Sequence, residues 1–107
     1  MSRYLFIASY TNQGAKGVLA KGGSARRTAV EKALTDVGGR LESFDFAFGG
    51  DDVYAIAEIA GNAEAAAFAL TVGADGGAKV RTVVLISPEE IDAASQRNIG
   101  YVGPGAT

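Results

Sequence analysis

Apolar residues recur along this chain with two spacings, and the switches between them outline its elements. Tyr4-Leu5-Phe6-Ile7-Ala8-Ser9-Tyr10 is rich in aromatic and β-branched residues, short enough for a strand, and apolar on both parities. Thr11 or Asn12 can cap a following helical piece, which Gly14, Gly17, Gly22 and Gly23 weaken, so a short irregular helix is predicted through Val18 and Leu19. Ser24 is placed to cap a better helix. Its stripe of Val30, Ala33, Leu34 and Val37 occupies one helical face, and Gly38-Gly39 supplies a left-handed stop.

The stretch from Arg40 to Ile59 predicts a hairpin, with strands over 40–48 and 52–59 joined across Gly49-Gly50-Asp51. A two- or four-residue loop sets Phe48 opposite Val53, Phe46 opposite Ala55 and Phe44 opposite Ala57 on one face. Ala47 with Tyr54, Asp45 with Ile56 and Ser43 with Glu58 then share the other. After Gly61 a third helix is expected with Asn62 as cap and Glu64 in its first turn, slimmed by alanines and broken between Gly73 and Gly77. A fourth strand spans 79–86, and Ser87-Pro88-Glu89-Glu90 is a capping box opening a last short helix.

The order is therefore strand, helix, strand, strand, helix, strand plus a terminal helix: an α+β, ferredoxin-like βαββαβ chain with both main helices on one face of a four-stranded antiparallel sheet. Residues 1–96 form one domain, and 97–107, with Gly100, Gly103, Pro104 and Gly105, offer a tail with little to pack. The helix-free sheet face ought to be polar in a two-layer monomer. Instead Leu5, Ile7, Val83 and Leu85 oppose Tyr4, Phe6, Ala8, Val80, Val84 and Ile86, so both faces call for burial. Leaving such side chains in water forgoes roughly 1.5–3 kcal/mol each. A homodimer stacking sheet on sheet is expected, the alternative being that the last helix and tail fold back over the bare face.

Composition narrows the chemistry. Ten basic against twelve acidic side chains in 107 residues give a net charge of −2 with no like-charge run, which argues against nucleic-acid or membrane-surface binding. There is no cysteine and no histidine, which excludes disulfides, thiolate catalysis, a Ser-His-Asp triad and a His-ligated haem. Adjacent pairs at Asp51-Asp52 and Glu89-Glu90 have local explanations in a turn and a cap, so no metal or other cofactor is expected. The N-terminal residues run directly into a strand pattern, and a cytoplasmic location is expected.

Several spaced motifs together resemble the GYD domain family. They are Ser9-Tyr10-Thr11, Gly22-Gly23-Ser24-Ala25-Arg26-Arg27, Gly38-Gly39-Arg40-Leu41-Glu42, Phe46-Ala47-Phe48-Gly49 into Asp52-Val53, Gly61-Asn62-Ala63 and Pro88-Glu89-Glu90. The resemblance spans nearly all of residues 3–96 and implies a subunit of the dimeric α/β barrel type. Where the family has Gly-Tyr-Asp this chain has Gly50-Asp51-Asp52, so no role of a tyrosine at the hairpin tip carries over.

Stacked sheets would enclose Ser43, Asp45, Tyr54 and Glu58 of the mixed hairpin face, joined by Tyr4, Tyr10 and Arg81. Carboxylates in an apolar compartment have raised pKa values and can move protons near neutral pH, while a tyrosine hydroxyl can orient an oxygen. Asp45, Tyr54 and Glu58 are thus candidate catalytic residues, and Tyr4, Tyr10, Ser43 and Arg81 candidate ligand contacts. Two readings stand: a homo-oligomer binding a small organic molecule between sheets, and a cofactor-free enzyme of proton transfer, isomerisation or oxygenation. Against both, Asp45 and Glu58 could sit at the rim, solvated or paired with Arg40 or Arg81. Gly22-Gly23-Ser24 with Arg26 and Arg27 could hold an anion at a helix start, but solvated first-turn arginines are the favoured explanation.

Overall fold

The computed structural model describes residues 1–105. Its elements run β1 (Ser2–Tyr10), α1 (Asn12–Lys21), α2 (Gly23–Thr35), β2 (Arg40–Phe46), β3 (Val53–Ile59), α3 (Asn62–Asp75), β4 (Ala78–Leu85) and α4 (Pro88–Ser95). All strand pairs are antiparallel and the sheet order is β2-β3-β1-β4, the ferredoxin-like arrangement expected from the element sequence. Tyr4 and Phe6 of β1, Ala57 and Ile59 of β3, Leu34 of α2, and Ala65 and Phe68 of α3 form the core. Phe6 meets Phe68 edge to face at 5.0 Å, an arrangement aromatic quadrupoles favour. The alanines of α3 let that helix approach closely, and Ala65 is buried against the sheet.

Helix ends depart from the expected caps in instructive ways. Helix α1 is regular over ten residues, held by the Thr11 side chain, which accepts from the Gly14 N–H at 3.3 Å. Gly22, at φ +86°, ends α1 and begins α2 in one residue, a conformation only glycine adopts cheaply. Ser24 therefore lies inside α2 and caps nothing; its carbonyl accepts from the Thr28 hydroxyl. Asn62 likewise is not a cap, because its Oδ1 accepts the buried Tyr4 hydroxyl at 2.7 Å. Helix α3 runs through Gly73 and stops at Gly76. The Ser87–Glu90 capping box forms as expected, with the Glu90 N–H donating to Ser87 Oγ at 3.1 Å.

The hairpin keeps its faces but not its register. Phe46 pairs with Val53, Phe44 with Ala55, Asp45 with Tyr54 and Ser43 with Ile56, so each expected partnership slides by two residues. The four-residue loop is Phe48–Asp51, closed by the Ala47 N–H donating to the Asp52 carbonyl at 2.9 Å. Phe48, expected opposite Val53, stands free in solvent at 105 % relative exposure. A slide of two preserves every side chain's face, since strand side chains alternate with period two. An irregularity between Leu41 and Ser43 then reverses the alternation, turning Leu41 toward the core that Ser43 faces away from.

Leu5, Ile7, Tyr54, Ile56, Val83 and Leu85 share the face away from the core. Ile7 is buried by its neighbours, while Tyr54 and Val83 are each 39 % exposed. The described C-terminal residues do not fold back over this face as the alternative reading would have them. Helix α4 buries none of its residues, Ile91, Ile99, Tyr101 and Val102 are exposed, and the molecule is 59 Å long but only 22 Å thick. Of the expected tail, residues 97–105 carry no helix or strand, and 106–107 lie outside the described residues. No helix among the described residues is long and apolar enough to cross a membrane.

Candidate functional site

A cleft lies on the helix side of the sheet. Toward the Tyr10 end of β1 the residues facing the helices become small, with Ala8 and Ala55 on the sheet and Ala25 and Ala29 on α2. Helix α1 buries no residue and α2 buries only Leu34, so neither helix fills the space above the sheet. What remains is a cleft of about 710 Å³, within the volume range of small-molecule sites. Phe6, Phe44, Val53 and Val80 line its sheet side and Phe68 its α3 side, while Gln13, Lys21, Arg26, Thr71 and Asp75 supply polar groups.

One end of the roof is pinned by backbone chemistry. Thr11 donates its N–H to the Gly77 carbonyl at 3.0 Å and its hydroxyl to the Gly76 carbonyl at 2.8 Å. Gly14 lies so close to Gly77 that a side chain there would overlap the Gly77 carbonyl oxygen. The start of α1 is thereby fixed on the α3–β4 turn, and the rest of α1 stands over the cleft.

Tyr10 lines the cleft with its ring 6.4 Å from that of Phe46. Burial pushes its phenol above the ordinary tyrosine range; the Arg26 charge partly counters this and the Asp52 charge adds to it. At neutral pH the hydroxyl is therefore a proton-bearing donor. Its backbone is held by Asp52, whose Oδ2 accepts the Tyr10 N–H at 2.8 Å. The Asp52 N–H in turn donates to the Ala8 carbonyl at 2.8 Å.

The seven residues anticipated as one site divide between two faces. Ser43, Asp45, Tyr54, Glu58 and Arg81 stand on the helix-free side, and Asp45 pairs with Tyr54 across the hairpin. Glu58 is engaged by Arg40 of the same chain at 2.7 Å, and Arg81 by Asp51 at 2.9 Å. Tyr4 belongs to the core and spends its hydroxyl on Asn62. Tyr10 alone of the set lines the cleft. Nothing in the sequence singles out Lys21, Gln13, Thr71 or Asp75, and Arg26 is legible there as a possible anion contact at a helix start with no cleft attached to it. The available signal was the run of small residues Gly14, Gly17, Gly22, Ala25 and Ala29 across two successive helices.

Asp51, read from sequence as a turn residue, ties three segments together on the free face. It accepts the Ser9 hydroxyl at 2.8 Å and the Arg81 guanidinium at 2.9 Å. The Ser9 hydroxyl chiefly, then Arg81, hold its carboxyl below the usual aspartate range; desolvation opposes them, and the Tyr54 hydroxyl adds a lesser lowering effect. A carboxylate whose folded pKa lies below its unfolded value of about 3.9 adds stability above that pH, and loses it as pH falls through the folded value. Asp51→Asn is accordingly expected to flatten the acid limb of a melting-temperature profile between about pH 5 and pH 2. An unchanged acid limb would show that Asp51 does not anchor the loop. Among the described residues, no three acidic side chains gather closely enough to hold a metal ion.

Comparison with known families gives one finding. The model of the GYD domain family matches residues 4–95 of the chain. No curated protein matches it.

Proposed function

Since this chain belongs to the GYD domain family, matched over residues 4–95 of 107, we propose that it is a small-molecule-binding subunit of that family, holding its ligand between sheet and helices. The observation that carries this reading is the cleft of about 710 Å³ between the sheet and the helices, beside a core packed around Tyr4, Phe6, Leu34 and Phe68. The cleft's apolar lining, with Phe6, Phe44, Val53 and Phe68, is surface that a ligand would take out of water. The volume favours the helix side over the space between stacked sheets as the ligand's seat.

The test is a metabolite thermal-shift screen of the wild type beside Gly17→Leu. Gly17 lines the cleft and a Cβ added there meets no atom within 4 Å, so a leucine can start from this position without a backbone clash and crowd the cleft. A ligand at about 100 times its Kd raises stability by about 2.7 kcal/mol. That rise is expected in the wild type and lost in Gly17→Leu. Hits that stabilise both proteins equally would place binding elsewhere and defeat the reading.

The free face supports pairing with a second copy, because Tyr54 and Val83 are half exposed beside Leu5, Ile56 and Leu85 and contiguous apolar sheet seeks cover. Sedimentation is expected to give a dimer for the wild type and a monomer for Val83→Glu; a wild-type monomer at micromolar concentration refutes the pairing. Only such a dimer would enclose Asp45, Tyr54 and Glu58, so the enzymatic alternative built on them depends on it.

A further inference from the structure

We propose that the ligand of the helix-side cleft carries an acidic group, a carboxylate or comparable oxyanion, seated against Arg26 and Tyr10 with an apolar, ring-sized body on the sheet. The inference rests on the ligand-binding reading of the cleft and adds the ligand's chemical class.

Two cations from successive helices, Lys21 and Arg26, meet on this cleft. The chain's ion pairs among the described residues are Arg3–Glu42, Arg40–Glu58 and Arg81–Asp51, so neither cleft cation is paired there. Two carboxylates are near enough to compete. Asp75 lines the same cleft, and Asp52 influences Tyr10 but has one oxygen committed to the Tyr10 N–H. Among the residues that line the cleft, Lys21 and Arg26 face one carboxylate, Asp75, and the charge of Asp52 acts from outside that lining. The Tyr10 hydroxyl makes no hydrogen bond to any described residue, which leaves it to donate to a guest oxygen. A guanidinium presents a planar fork that fits a carboxylate, and such charge-assisted bonds are stronger than neutral ones. Below them the surface turns apolar and aromatic, with Phe6, Phe44, Val53 and Phe68. That order, cations and a phenol above an apolar base, matches a flat ring bearing one acid.

The experiment titrates the full chain with 2-naphthoate and with its neutral counterpart 2-naphthylmethanol at low ionic strength, followed by calorimetry. Naphthoate is expected to bind about tenfold more tightly, the scale of one charged hydrogen bond. Arg26→Gln should erase that preference while leaving naphthylmethanol unchanged, and Arg27→Gln, on the neighbouring position, should preserve it. Tyr10→Phe should weaken naphthoate by about fivefold, and Gly17→Leu should lose both probes. Equal affinity of the two probes in the wild type overturns the acid-group inference and leaves the ligand-binding reading standing. A preference that survives Arg26→Gln also overturns it. Failure of both probes, together with an empty metabolite screen, brings down the cleft reading and this inference with it.

Discussion

Leu34→Ala is expected to lower the unfolding free energy by about 2–5 kcal/mol, the range for deleting a large aliphatic side chain from a packed core. Leu34 is 1 % exposed and is the one residue of α2 that is fully buried. It packs with Tyr4, Phe6, Ile59 and Phe68, and Val30 and Val37 beside it are only partly covered. Leu34 also borders the cleft, so its loss would extend that opening into the core. For a domain whose total stability is about 5–15 kcal/mol, such a loss takes α2 to the edge of detachment. Urea denaturation measures it directly, with Ala33→Ser on the exposed side of the same helix as the control. A loss below about 1 kcal/mol would mean that Leu34 does not hold α2 to the sheet.

Gly14→Ala is the second large effect, and it runs against helix propensity. Alanine inside a helix is favoured over glycine by about 0.5–1 kcal/mol, and Gly17→Ala, with nothing within 4 Å of the new methyl, should gain about that much. At Gly14 the methyl would overlap the Gly77 carbonyl oxygen and lie 3.0 Å from the Tyr10 ring. The obstacle is backbone, which cannot rotate aside, so a net loss of about 1–3 kcal/mol is expected as for other overpacked sites. Thermal melts of the two single variants side by side decide it. If both shift upward, α1 is not anchored at Gly77 and the roof of the cleft has no fixed end.

These two positions frame the site between them. Gly14 fixes one end of α1, Leu34 fixes the far end of α2, and the small residues between them leave the space in which Tyr10 and Arg26 stand. Glycines that sequence reasoning counted as defects in a helix therefore have different meanings. Gly14 permits a contact and Gly17 borders a void. Propensity scales record the backbone cost of glycine and contain nothing about the carbonyl of Gly77, sixty-three residues further along the chain.

Candidate chemistry followed the same division. Asp45 and Tyr54 share one hairpin face, as strand alternation predicts, because alternation is local. Tyr4 and Tyr10 were grouped with them only because β1 is apolar on both parities, which leaves nothing in the sequence to say which parity meets the helices. Packing of Tyr4 and Phe6 on Leu34 and Phe68 decides that, and it sends both tyrosines of β1 to the side with the cleft.

The amino-acid sequence by itself determined the element order, the βαββαβ plan, the capping box at Ser87 and the two-sided apolar character of β1 and β4. Each of these is written in spacings of two to four residues, the range over which backbone periodicity and caps act. Tertiary structure decided the hairpin register, the outward turn of Phe48 and the position of the cavity. The register follows from Asp51 and Asp52 bonding to Ser9, Arg81 and the backbone of β1, contacts some thirty to forty residues apart. The cavity follows from where two helices are held off a sheet, and such a gap exists only once distant segments have been brought together.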